Sequence, residues 1–223
     1  MFSVLKKELK GYFLTTSGYI YIGVFMMILS VFFYKYVFSY RSANYSSMFY
    51  DAATLITFLA PILTMRMFAE ERKLGTYQLL MTSPRSSIAI VLGKFFAALV
   101  VVLIAELCTF MYYGILEYFG TPNLILSLNT LLAFFLLSMA YLSLGMFISS
   151  MTENQIIAAV VTITTFLIMW FIPTPNELFL LVYKYNSFLE GTINISYVVT
   201  FLSFTLLCIV LTIVAIQRRK AVK

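Results

Sequence analysis

Six apolar runs, most of about twenty residues and each bounded by charges or by Gly, Pro and Asn, dominate the sequence and leave it few ways to fold. In lipid a backbone has no water to bond, so a run of that length becomes a helix that satisfies its own N–H and C=O groups. The runs cover residues 18–38, 52–68, 88–116, 126–148, 156–172 and 197–216. They predict an all-α membrane protein of six transmembrane helices, one domain over residues 1–223. With 62% hydrophobic and 11% charged residues and a mean hydropathy of +0.96, a water-soluble fold has too much apolar surface to hide. The first run is too long for a signal peptide and lacks a small-residue cleavage pattern, so it reads as a retained span.

Lysine and arginine fix the expected orientation. With the N-terminus inside, the inner segments hold Lys6, Lys7, Lys10, Arg66, Arg72, Lys73, Arg85, Lys94, Arg218, Arg219, Lys220 and Lys223, and the outer side only Lys35, Arg41 and Lys184. Both termini are therefore expected in the cytoplasm. The net charge of +6 needs only topology and anionic lipid headgroups to explain it, not nucleic acid.

Enzyme chemistry finds little to work with. Histidine is absent, Asp51 is the single aspartate, and there is neither HExxH nor GxSxG. Cys108 and Cys208 lie in apolar runs with no partner at a metal-ligand spacing, so no metal is expected.

Two segments outside the runs are informative. In the first, residues 1–16, Leu5, Leu9, Tyr12 and Phe13 share one helical face while Lys6, Lys7 and Lys10 take another, so it lies along the inner membrane surface or is a plain basic lead-in. The second is the inner connection RMFAEERKLGTYQLLMTSPRSS, residues 66–87. Its charges Glu70, Glu71, Arg72 and Lys73 end the second span at the interface, and Gly75 permits a sharp turn. A short amphipathic piece over Thr76–Thr82 offers Tyr77, Leu79, Leu80 and Met81 either to a docking partner or to the membrane interface. Ser83 as N-cap and Pro84 in the first turn predict that the third helix starts there.

The stretch AEERKLGTYQLLMTSP resembles the cytoplasmic loop of the type-2 permease family of ATP-binding cassette (ABC) transporters, exporter type, with Glu71, Arg72, Gly75, Thr76, Leu79, Leu80, Ser83 and Pro84 at matching positions. The opening LKKELKGYFLTTSGYIY is similar to that family's elbow helix, and YNSFLEGTINISYV to the segment before its last span, with Asn194 where the family often has an acid. The resemblance implies a half-transporter with an elbow helix at 1–16 and a coupling segment at 69–84. It implies pairing with a second permease chain, identical or similar, and two cytoplasmic ABC ATPase subunits that carry ATP and Mg. No cofactor is expected on this chain. Its location would be the plasma membrane of a bacterium, and its cargo, given 22 Phe and 16 Tyr, amphipathic or lipid-like. No GxxxxGK[ST] occurs, and the Gly93–Lys94 pair sits at the inner end of a span followed by Phe95, so ATP is hydrolysed elsewhere. Glu70, Glu71 and Arg72 are candidate charge partners of the ATPase or of the elbow helix, or plain interfacial charges.

Inside the membrane Glu106 stands out, since an intramembrane carboxylate faces a bundle interior or wet cavity and needs a partner. Tyr112, Tyr113, Ser138 and Thr165 are the candidates, and helix packing is as good a role as substrate contact. Ala140, Ser143, Gly145, Ser149, Ala158 and Thr162 read as close helix contacts. The last outer connection, 173–196, is too apolar for a free loop. Pro173 and Pro175 end the fifth helix, and Phe188 and Gly191 belong to a broken-helix cap or an interfacial helix. A secondary transporter, or a membrane anchor or sensor that recruits an ATPase without transporting, are the rival readings. A secondary transporter calls for an inverted repeat or several buried charges, and neither is visible.

Overall fold

The computed structural model describes residues 2–39, 44–76, 86–171, 181–192 and 194–221, and its regular elements there are all helices. A short amphipathic helix α1, Phe2–Leu14, leads into α2, Ser17–Tyr34, which ends in a π-helical turn, Lys35–Ser39. Next comes α3, Tyr45–Thr64, whose first turn is capped by the Asn44 side chain accepting from Ser46 N–H at 3.0 Å. A turn over residues 65–68 separates it from the five-residue α4, Ala69–Lys73. The longest helices follow, α5 over Ser87–Phe119 and α6 over Leu124–Met151, then α7, Gln155–Phe171, α8, Leu181–Leu189, and α9, Ile195–Ala221.

Among the described residues five helices are long and apolar enough to cross a membrane: Ser17–Phe38, Tyr45–Lys73, Ser87–Tyr118, Leu124–Met151 and Ile195–Arg218. The fifth apolar run appears as α7, which at 17 residues falls short of the others. One start differs from expectation. α5 begins at Ser87, not at Ser83, because Ser86 holds an extended backbone and its Oγ accepts from Ala89 N–H at 3.3 Å. Several nearby serines offer the same cap chemistry, and the helix takes the later one.

α6 is the centre of the bundle and packs against α3, α5, α7, α8 and α9. Its small residues allow this. Ala140, Ser143 and Ser149 are wholly buried, as are Ala158 and Thr162 on α7, and a Cβ on Gly145 would stand 2.4 Å from Thr64 Oγ1 of α3. In lipid such close backbone approach, rather than water exclusion, is what holds helices together. Larger groups lock α7 on: Tyr141 stacks on Phe166 at 4.1 Å and accepts from Trp170 Nε1 at 3.1 Å. α2 is peripheral, with 22% of its apolar window buried against 61% for α6, so most of its side chains face outward.

At the end of the bundle away from Lys94, Tyr185 of α8 donates to the Phe49 carbonyl at 2.6 Å and Lys184 donates to Thr200 Oγ1 at 2.9 Å. Phe188 is buried against the rings of Tyr197 and Phe201. Gly191, at φ 89°, then turns the chain toward α9. Pro173 and Pro175 lie outside the described residues, so α8 is the part of the expected cap that is described. Asp51 sits nearby in chain order, accepting from Lys35 Nζ at 2.9 Å and Tyr36 OH at 3.2 Å.

Candidate coupling site at the charged end of the bundle

Lys94 stands two turns into α5, where a bare ammonium is costly to bury, and its side chain is 2% exposed. Two carboxylates make this tolerable. Nζ donates to Glu8 Oε1 of α1 at 3.0 Å and to Glu71 Oε1 of α4 at 2.8 Å, with the Phe68 ring centroid 5.5 Å away. The neighbouring glycine serves the same contact. A Cβ on Gly93 would meet Val4 Cγ1 at 2.8 Å, so only glycine lets α1 lie flat enough for Glu8 to reach Lys94. Lys6, Lys7 and Lys10 point the other way and are exposed, while Val4 and Tyr12 are buried. Tyr12 donates to the Leu63 carbonyl at 3.4 Å, and burial, reinforced by Glu8, raises its pKa above the ordinary phenol value.

The rest of α4 is fastened by hydrogen bonds to α6. Ser149 Oγ, itself wholly buried, accepts from both Phe68 N–H and Ala69 N–H at 3.2 Å, covering donors that the first turn of α4 leaves open. In return the Arg72 guanidinium donates through Nη1 to the Thr152 carbonyl at 2.9 Å and through Nη2 to the Ser150 carbonyl, closing the end of α6. Arg66 and Glu70 form an i,i+4 pair at 3.1 Å, each about a third exposed, which adds little by itself. A cleft of about 160 Å³ opens between α1 and this segment, lined by Glu8, Tyr12, Thr15, Arg66 and Glu70 among others.

Of the expected site residues, Glu70, Glu71 and Arg72 thus lie in one contiguous patch with the start of α5 and the end of α6. Gly75 follows at φ 71°, in the left-handed region, and Leu74, Gly75 and Thr76 are exposed. Leu79, Leu80, Ser83 and Pro84 lie outside the described residues. Three members of the patch are not in the expected site: on sequence alone Glu8 has no role, Lys94 counts only among the inner-side cations, and Ser149 is a close helix contact. The available signal was a lysine well inside an apolar run, which demands a carboxylate from elsewhere in the chain.

Glu106 lies about 18 Å farther along α5 than Lys94, given the rise of a helix, and is 5% exposed. None of its four expected partners serves it. Tyr112 shares a hydrogen bond of 2.6 Å with Ser30 Oγ, Tyr113 donates to the Pro122 carbonyl at 3.4 Å, and Thr165 bonds the Val161 carbonyl on its own helix. Ser138 Oγ is buried with no partner among the described residues. The carboxyl instead lies within electrostatic reach of the phenols of Tyr21, Tyr45 and Tyr185, which come from α2, α3 and α8.

These elements define a multi-pass α-helical membrane protein with a charged, doubly capped segment at one end of its bundle. The sequence profile of the ABC-2 family transporter proteins matches residues 25–206, most of the chain and all of α3 to α8. The protein belongs to that family, the membrane subunits of transporters whose ATPase resides on partner subunits. A search among curated proteins found no match.

Proposed function

We propose that the chain is the permease subunit of an ABC exporter, driven by ATP bound with Mg on two cytoplasmic ATPase subunits and paired with a second permease chain. It uses six spans, α7 being the fifth, with both termini in the cytoplasm and α1 as an elbow helix in the inner interface. The plasma membrane of a bacterium is the setting. Residues 69–84 form the coupling segment, in which Glu70, Glu71, Arg72, Gly75 and Thr76 set the angle and Leu79, Leu80, Ser83 and Pro84 complete the docking surface. The cargo is amphipathic or lipid-like and moves outward, and α8 with Phe188 and Gly191 caps the outer end.

One observation carries this reading: the segment just before Gly75 is tied by polar contacts to α1, α5 and α6, while Leu74, at 67% exposed, Gly75 and Thr76 face outward. A lever needs both a firm hold on the moving helices and a free face for the motor. Co-expression with the ATPase subunit, followed by affinity capture and ATP hydrolysis in nanodiscs, tests it. ATPase capture should depend on residues 70–84 and be indifferent to the opposite end.

Glu106 supports the runner-up, a secondary transporter, because a buried carboxylate can exchange a proton. Transport that follows a proton gradient in vesicles without ATP would favour it.

A further inference from the structure

We propose that α6 is the direct mechanical recipient of any movement imposed on the coupling segment, with Arg72 and Ser149 as the positioning residues that fasten the two. The inference rests on the exporter reading above and adds the internal route that force takes.

By chain order the recipients should be α3 and α5. Yet the join to α3 runs through the turn over residues 65–68, and the way toward α5 leaves α4 through Gly75 at φ 71°. Neither carries α4 on as one continuous helix. The fastening to α6 is of another kind, because each helix caps the other. Ser149 of α6 holds the Phe68 and Ala69 N–H groups at 3.2 Å, and Arg72 of α4 holds the Thr152 carbonyl at 2.9 Å together with the Ser150 carbonyl.

The two caps oppose different motions. Turning α4 about its own axis swings Arg72 off the carbonyls, and sliding it along α6 takes the N–H pair off Ser149. The first frees the carbonyls at the end of α6 from their cap, and the second leaves two buried N–H groups without a partner, which native structures rarely tolerate. Only joint movement of α4 and α6 keeps all four bonds. Lys94 also ties α4 to α1 and α5, but through a point charge on a flexible stem with three rotatable donors, which follows its carboxylates as they turn. The planar guanidinium fork of Arg72 gives no such latitude. One turn deeper, Gly145 lies so close to Thr64 that α3 and α6 have no slack there either. The inner end of α6 and the segment 64–72 thus move as one body, and α6 passes the motion to the helices packed around it.

Hydrogen exchange of the permease–ATPase complex in nanodiscs, with and without ATP plus vanadate, reads the route through local opening. In the native protein, peptides from residues 69–76 and from residues 145–154 should both respond to nucleotide. In S149A, a change on α6 outside the docking segment that removes no charge, the response at 145–154 should fall while that at 69–76 persists and the ATPase stays bound. S149T keeps the acceptor oxygen and should keep the response. An unchanged response at 145–154 in S149A overturns the route through α6 and leaves the exporter reading standing, as does a native complex that responds at 69–76 only. A native protein that neither binds the ATPase nor responds anywhere overturns both.

Discussion

Lys94 and Glu106 are buried on the same helix, 2% and 5% exposed, but the bundle treats them in opposite ways. Lys94 is met by two carboxylates brought from α1 and α4, so its charge organises three elements. Glu106 lies within electrostatic reach of three phenols, of which Tyr45 pairs with Thr109 and Tyr185 with the Phe49 carbonyl. A buried charge with matched partners gathers three elements at the end where force would enter. Among the described residues Glu106 forms no ion pair, so no charge contact is seen there to fix the middle of the bundle. The end and the middle of one helix are therefore suited to different tasks, transmission and accommodation.

Removing Lys94 should break that contrast most severely. K94M leaves Glu8 and Glu71 side by side without their cation, and breaking a buried pair in this way costs about 3–5 kcal/mol. Thermal unfolding in detergent should show a large loss of stability, mostly recovered in the triple variant E8Q/E71Q/K94M. A small loss in K94M would mean that the triad is looser than its 2.8 and 3.0 Å contacts imply.

A steric change at the same end should come next. G145A drives a methyl group into Thr64, and overpacking of this kind costs about 1–3 kcal/mol. Because Thr64 Oγ1 and Cγ2 are two of the three atoms met, G145A/T64A should recover part of that loss in the same unfolding experiment. The smallest effect is expected in the middle of the bundle. E106Q retains shape and hydrogen-bonding capacity and needs no counter-ion, so its stability should lie within about 1 kcal/mol of the native protein. A loss as large as that of K94M would show that Glu106 is ionised and paired, and the contrast would fail.

How much of this was legible beforehand differs between the two regions for a physical reason. Apolar length alone marks a span, and the five long helices and α7 match the six runs to within a few residues, apart from α3, which starts seven residues earlier. Partners do not announce themselves that way. Glu8 lies 86 positions from Lys94 and reads as one acid among Lys6, Lys7 and Lys10, so only the docking of α1 over Gly93 reveals the pair. Arg72 bonds backbone carbonyls, which every residue possesses, so no spacing of side chains points to Ser150 and Thr152. For Glu106 the partners were sought partly on its own helix at Tyr112 and Tyr113, whereas those hydroxyls are occupied by Ser30 and the Pro122 carbonyl.

The claim at the centre is that the segment before and after Gly75 couples a separate ATPase to the bundle. Its most direct measurement is ATPase capture and nucleotide-driven transport by G75V, compared with T121A at the opposite end. Valine at φ 71° is strained by about 1–2 kcal/mol, and nothing lies within 4 Å of an added Cβ, so the effect falls on the direction of the chain rather than on packing. The account predicts that G75V inserts and unfolds near the native temperature yet loses ATPase binding or transport, while T121A keeps both. Full binding and transport by G75V would contradict it, reducing the segment to a passive link between two spans.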